Sequence, residues 1–220
     1  MTLRQALESD RIYLSRDSWY IHVPRCVEIG SDAFEELWAL RDEFEPQYYR
    51  MFGKRVRVPR IQGLFSDQSL SYKFYGHTVE SRHITMHPFI ESLLDSVSDI
   101  HNTVFVNWYQ NGKDYVSAQS DCEQGLPEDR CIISVSLNAT RTFRIRPKQE
   151  VNPLFVGDKL DFELGDGDLF VMGGNFQREF LHEVLKKPII VGDPRRINLT
   201  TRGIVTTRDS SSGNKRKRDG

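Results

Sequence analysis

The chain has 220 residues, 38% hydrophobic and 28% charged, with a formal net charge of −1. That length suits one domain with a short extension, able to bury roughly two thirds of its unfolded surface. No run approaches the roughly 18 apolar residues of a membrane span, and MTLRQALESDRIYLS has no apolar core before a cleavage site, so neither a membrane anchor nor a secretory leader is expected.

Three cysteines (Cys26, Cys122, Cys131) are too few and too scattered for a disulfide framework or a Cys-rich zinc site. A reducing compartment is expected, which makes Asn138-Ala139-Thr140 and Asn198-Leu199-Thr200 chance matches to a glycosylation pattern. The charge is unevenly placed. KRKRDG at the end holds four of the 30 basic residues, so the rest of the chain is acidic. A general polyanion-binding surface is excluded, and any nucleic-acid contact must come from local clusters.

In chain order, the first predicted element is a helix. Ser31-Asp32 precedes Phe34, Leu37, Trp38 and Phe44, with Asp32 and Glu35 spaced for a capping box. Next comes a cationic stretch without an acid: Arg50, Lys54, Arg55, Arg57 and Arg60. A second helix is expected from Pro88, with Ile90, Leu93, Leu94, Val97 and Ile100 as its apolar stripe. From residue 103 the texture changes to short β-favouring runs, TVFVNWY, CIISVSL, TFRIR, KLDFEL, DLFVM and RINLTTRGIV, separated by Gly, Pro, Asn and Asp. The order implies a mainly β, α+β fold: an antiparallel barrel or jelly roll with helices on one side. The polar run from Asp209 and the basic Lys215–Arg218 read as a disordered tail, either a nuclear import signal or an unread solvated segment.

Polar residues inside the strands carry the chemistry. Arg196, Asn198, Thr200 and Arg202 fall on one face, Ile197 and Leu199 on the other, because side chains alternate with period 2. Asn107 and Tyr109 likewise share a face. Arginines, amides and a phenol facing a barrel mouth suit a small dicarboxylate; the same pattern also fits the solvent side of edge strands. Gln119 and Asp121 stand at i and i+2, and His182 follows far downstream. Non-haem Fe(II) oxygenases bind iron with two histidines and one carboxylate, typically His-x-Asp and a distant His. Here Gln119 holds the place of the first histidine. His22, His77, His83, His87 and His101 have no ligand-like spacing to Asp121.

The ordered set NWYQNGKDYVSAQSD, SVSLNATRTF, LFVMGGNFQREFLH and PRRINLTTR resembles the AlkB family of 2-oxoglutarate- and Fe(II)-dependent dioxygenases, with Arg141 and Phe143 in the middle strand. FGKRVRVPRIQGLFSDQSLSYKFYG extends the resemblance toward the branch that repairs double-stranded DNA. The resemblance covers roughly residues 50–205. It implies a double-stranded β-helix (jelly-roll) core over 101–207 and N-terminal helices, a DNA finger and a nucleotide-recognition lid over 1–100, which leaves the composition-defined tail over 208–220. It implies that Asn107, Tyr109, Arg196, Asn198 and Arg202 hold 2-oxoglutarate, and that Asp121, His182 and, weakly or not at all, Gln119 hold Fe(II). It implies Tyr72, Phe74 and Glu123 around a flipped base. Met51, Phe52 and Gly53 would form a wedge into the duplex, with Lys54 and Arg60 as further DNA contacts. The implied activity is oxidative demethylation of N-alkylated DNA bases with O2 as cosubstrate. A monomer is the default expectation. The alternative is a catalytically impaired module that binds damaged duplex DNA, since an amide is a poor ligand for Fe(II). A related oxygenase acting on RNA is a third reading.

Overall fold

The computed structural model describes residues 2–51, 53–74, 77–121 and 131–204, with residues 49–51, 71–74, 77 and 78 described by backbone alone. Sixteen strands are described in chain order: β1 Ile12–Tyr13, β2 Ser18–Val23, β3 Tyr48–Met51, β4 Lys54–Arg57, β5 Ile61–Ser66, β6 Ser71–Phe74, β7 His77–Glu80, β8 Arg82–His83, β9 Thr103–Tyr109, β10 Val116–Gln119, β11 Ile132–Asn138, β12 Arg141–Pro147, β13 Leu160–Leu164, β14 Leu169–Gly174, β15 Phe180–Val184 and β16 Arg196–Arg202. Helices are α1 Leu3–Leu7, α2 Ser31–Ala39, α3 Pro88–Asp95 and α4 Phe176–Glu179. All six predicted runs beyond residue 103 are strands.

An eight-stranded sheet runs β1-β2-β14-β11-β16-β9-β5-β8 and a four-stranded sheet runs β10-β15-β12-β13. Pairing is antiparallel except between β5 and β8. Two separate hairpins, β3-β4 and β6-β7, complete the described strands. This is the mainly β, jelly-roll architecture expected. The large sheet draws β1, β2, β5 and β8 from the first hundred residues, which the sequence pattern gives to helices, finger and lid.

Every residue of β9 and β16 is buried. One face of these strands packs under the helices: Val104, Val106, Trp108, Ile197 and Leu199 join Leu37, Trp38, Leu93 and Leu94 in one core. Trp108 Nε1 donates to the carbonyl of Leu37 at 2.9 Å. The other face meets the small sheet over a second core, which includes Tyr109, Phe143, Ile145, Phe170, Met172 and Val184. Ile197 and Leu199 therefore lie on the face opposite the polar residues, as period-2 alternation requires.

Two helix details differ from the sequence reading. The cap of α2 is Gly30, without a side-chain hydrogen bond. Glu35 instead accepts from both Nη atoms of Arg195, at 2.7 and 2.6 Å, and Arg195 lies over the rings of Phe34 and Trp38. The ion pair is bidentate, and it outcompetes a local cap. The predicted stripe to Phe44 also stops short. After a 310 turn at Leu40–Glu43, Phe44 is extended and packs its ring against Phe65 and Trp108. In the second helix Pro88 opens α3 as expected. The Ser96 hydroxyl then donates to the carbonyl of Leu93, and tight turns carry Val97 and Ile100 onto the core.

Gly63 gives Phe44 its seat, because a Cβ there would stand 2.7 Å from the ring. Gly63→Ala is expected to cost about 1–3 kcal/mol of stability by overpacking. Phe44→Leu in that background should recover part of the loss in chemical denaturation. A neutral Gly63→Ala would show that Phe44 does not need this approach.

Candidate active site

Strand register assembles the pocket. Gln62 on β5 lies opposite Asn107 on β9, which lies opposite Asn198 on β16, which lies opposite Ser136 on β11. This polar row crosses four strands on the face turned to the small sheet. Two residues along, Tyr109 lies opposite Arg196. From the small sheet, Gln119 on β10 is the direct partner of His182 on β15, beyond an irregularity after Val116. One pocket is lined by Asn107, Tyr109, Gln119, Asp121, His182, Arg196, Asn198 and Arg202. Eight residues proposed from the sequence thus converge, from segments up to ninety-five positions apart.

At one end the charge is positive and buried. Arg196 is 1% exposed. Its Nη2 donates to Ser136 Oγ at 2.8 Å, while Nε and Nη1 have no partner. The Tyr109 ring lies 5.0 Å from this guanidinium, and Arg141 lies 5.7 Å from the same ring. Burial pulls the Arg196 guanidinium below its ordinary pKa, and Tyr109 partly offsets this. Arg141 is lowered too, by burial first and then by Arg196. Arg141 is tied to the carbonyls of Asn111, Asp114 and Leu185. Arg196 keeps two buried donors for an anion, and a carboxylate matches them.

At the other end stand Asp121 and His182, each 7% exposed. Their Oδ2 and Nε2 atoms are 3.9 Å apart, and Arg202 Nη2 lies 3.3 Å from the same carboxylate oxygen. Burial would raise the Asp121 carboxyl, yet Arg202, His182 and Arg60 outweigh it and hold it below the usual carboxylate range. Burial lowers His182; Asp121 opposes this, and Arg202, Arg60 and Lys148 reinforce it. The result is an ionised carboxylate beside a neutral imidazole, which is the donor chemistry a divalent iron takes. Among the described residues no group of three or more His, Cys, Asp or Glu side chains is placed to hold a metal.

The segment leading into Asp121 is braced. Gln177 Oε1 accepts the Asp121 backbone N–H at 2.9 Å. Lys148 Nζ donates to Ser120 Oγ and to the Gln177 carbonyl, both at 2.9 Å. The sequence reading did not single out Lys148 or Gln177, because their partners are set by folding rather than spacing.

Other proposed residues are placed differently. Asn198 lines the pocket, but its two amide hydrogens go to Ser134 Oγ and the Val135 carbonyl, so it is a wall brace rather than an anion donor. Arg60, grouped by sequence with the DNA-contacting cations, turns inward and donates to Asn107 Oδ1 and the Tyr115 carbonyl. It alternates with Ile61 and so shares the pocket face with Gln62, whereas Lys54, Arg55 and Arg57 are exposed. Met51 pairs with Lys54 across the β3-β4 hairpin, where Gly53 has φ +76°. Phe52, Cys122, Glu123 and Lys215–Arg218 lie outside the described residues, as do the side chains of Met51, Tyr72 and Phe74. The β6-β7 hairpin that carries Tyr72 and Phe74 sits beside the site through Val79, which packs on Leu64 and Phe105; Phe105 lines the pocket. His22, His83, His87 and His101 all have partners elsewhere.

A jelly roll with a buried cationic wall facing a carboxylate–imidazole pair defines a dicarboxylate- and metal-dependent oxygenase. The family model of the 2OG-Fe(II) oxygenase superfamily matches residues 29–202, and the chain belongs to that superfamily, within its AlkB family. It is 30% identical over 166 residues to a Mus musculus protein named DNA oxidative demethylase ALKBH2, covering 72% of this chain and 67% of that one. It is 30% identical over 153 residues to the Homo sapiens alpha-ketoglutarate-dependent dioxygenase alkB homolog 3, covering 66% and 52%. A solved structure titled "The structure of OsALKBH1" shares the fold, with TM-score 0.55 and 15% identity over 88% of this chain and 100% of that one. The protein is therefore a dioxygenase that uses Fe(II) and 2-oxoglutarate, with O2 as cosubstrate.

Arg196→Met should separate function from stability. Removing a buried charge of this kind is often neutral or stabilising, so the melting temperature should hold or rise. Affinity for 2-oxoglutarate should fall about 100-fold or more, the scale of two charge-assisted hydrogen bonds. Unchanged affinity by calorimetric titration would remove Arg196 from the site.

Proposed function

We propose that this protein demethylates N-alkylated bases in DNA by oxidation, releasing formaldehyde. The observation that carries the reading is the pocket that joins two buried unpartnered donors on Arg196 to the Asp121–His182 pair. The similarity to proteins named DNA oxidative demethylase supplies the substrate class. Arg196 and Tyr109 bind and orient 2-oxoglutarate. Arg202 keeps Asp121 ionised, and Asp121 and His182 hold iron, with Gln119 beside them as a weak ligand or none. Iron and 2-oxoglutarate, when bound with O2, supply the oxidant that hydroxylates the methyl carbon, yielding succinate, CO2 and a hydroxymethyl base that loses formaldehyde. Phe143, Leu164 and Met172 line the pocket with apolar surface.

The substrate we propose is double-stranded DNA, acted on by a monomer. The paired strands β3 and β4 support this by presenting exposed Lys54, Arg55 and Arg57 close in sequence to Phe52, a suitable phosphate contact for a wedge built on that residue. Tyr72, Phe74 and Glu123 are proposed for the flipped base. Nuclear localisation through Lys215–Arg218 is a further proposal. The reading as an impaired, DNA-binding module has one observation in its favour: Gln119, not a histidine, faces His182 across the strand pair.

The test is formaldehyde release from a duplex carrying one 1-methyladenine, with Fe(II), 2-oxoglutarate and ascorbate. Release that chelator abolishes is expected. Silence from the wild type together with activity in Gln119→His would instead select the impaired module. Gln119→His should also tighten Fe(II) binding about tenfold or more; unchanged binding would place residue 119 away from the metal. Phe52→Ala is expected to lower turnover on duplex more than on single strands, and equal loss on both would refute the wedge.

A further inference from the structure

Asn107 has a carboxamide with a donor end and an acceptor end, and its neighbours decide which end faces the cavity. Arg60 Nε lies 2.7 Å from Asn107 Oδ1, and Gln62 Nε2 lies 2.9 Å from the same atom. A guanidinium only donates, so the atom it meets must be the amide oxygen. The Gln62 group that shares this oxygen must then be its own NH2. With Oδ1 engaged twice, Nδ2 is the end of Asn107 left to donate into the pocket.

Gln62 holds this geometry against its own interest. It is 1% exposed, and its Oε1 is buried without a partner. A buried acceptor left unsatisfied is a cost that an apolar side chain of similar shape would not carry. What the glutamine gives in return is the donor to Asn107.

We infer that Gln62, with Arg60, is a positioning residue for the cosubstrate: together they lock the Asn107 amide so that its N–H donors face the carboxylate of 2-oxoglutarate. The inference rests on 2-oxoglutarate occupying this pocket. Arg60 also ties the lock to the Tyr115 carbonyl just before β10, the strand that leads to Gln119 and Asp121. The orienting pair thus spans from the cosubstrate wall toward the metal end.

The experiment is calorimetric titration of 2-oxoglutarate into the full chain with Mn(II), alongside thermal melting. Gln62→Leu should keep or raise the melting temperature and weaken 2-oxoglutarate binding about three- to tenfold, the range of one hydrogen bond. Gln62→Glu keeps the shape but turns acceptors toward Asn107 Oδ1, so it should weaken binding at least as much, even if Gln62→Leu folds poorly. In an Asn107→Ala background neither change should weaken binding further, because the effect runs through Asn107. Unchanged affinity in both Gln62 variants, or losses that add fully to that of Asn107→Ala, would overturn the inference. If Arg196→Met abolishes binding while the Gln62 variants bind normally, the cosubstrate reading stands and this inference alone falls. A wild-type chain that does not bind 2-oxoglutarate would remove both.

Discussion

A guanidinium buried without an anion is the constraint from which the rest of the site follows. Arg196 sits buried in the pocket wall with two donors unengaged. Taking a charge out of water is costly unless a partner compensates. Ser136 and the Tyr109 ring offset part of that cost, while the backbone-tethered Arg141 adds a second buried cation to it. A bound dicarboxylate would settle it. At the opposite end the balance is reversed: Arg202 compensates Asp121 within the protein, leaving the carboxylate ionised and the imidazole neutral. The pocket is thus polarised, an anion site joined to a cation site, as a metal-dependent oxygenase with an acidic cosubstrate requires.

The fold supplies this arrangement through burial on both faces of β9 and β16. Their runs, TVFVNWY and RINLTTR, were legible because apolar and polar residues alternate in them, and one set packs under the helices while the other lines the pocket. The strands before residue 100 were not legible in the same way. IQGLFS carries a glycine that is there for Phe44, an aromatic almost twenty residues upstream, and SWYIHV pairs with β14 roughly 150 residues later. Such partners leave no local signature. The capping box at Asp32 and Glu35 failed for the same reason: Arg195, 160 residues away, holds the glutamate.

For the site, spacing identified the residues but not their roles. Asn198 fits the pattern of a cosubstrate contact, yet the sheet consumes both of its amide hydrogens. Arg60 belongs to a basic cluster in composition and to the pocket in geometry. Its alternation with Ile61 and Gln62 was the available signal, visible only once that stretch is known to be a strand. Lys148 and Gln177, which brace the segment leading into Asp121, carry no motif at all. Hydrogen-bond direction, rather than residue type, separates the groups that bind from the groups that position.

The central claim is that the buried Arg196 end receives a carboxylate of 2-oxoglutarate while Asp121 and His182 address the metal. A crystal structure of the full chain with 2-oxoglutarate and Mn(II) tests it most directly. The account predicts one carboxylate of the ligand on Arg196 Nε and Nη1, with Asn107 Nδ2 turned to the same molecule and Mn(II) between Asp121 and His182. A ligand bound elsewhere, with Arg196 still lacking an anionic partner, would contradict it.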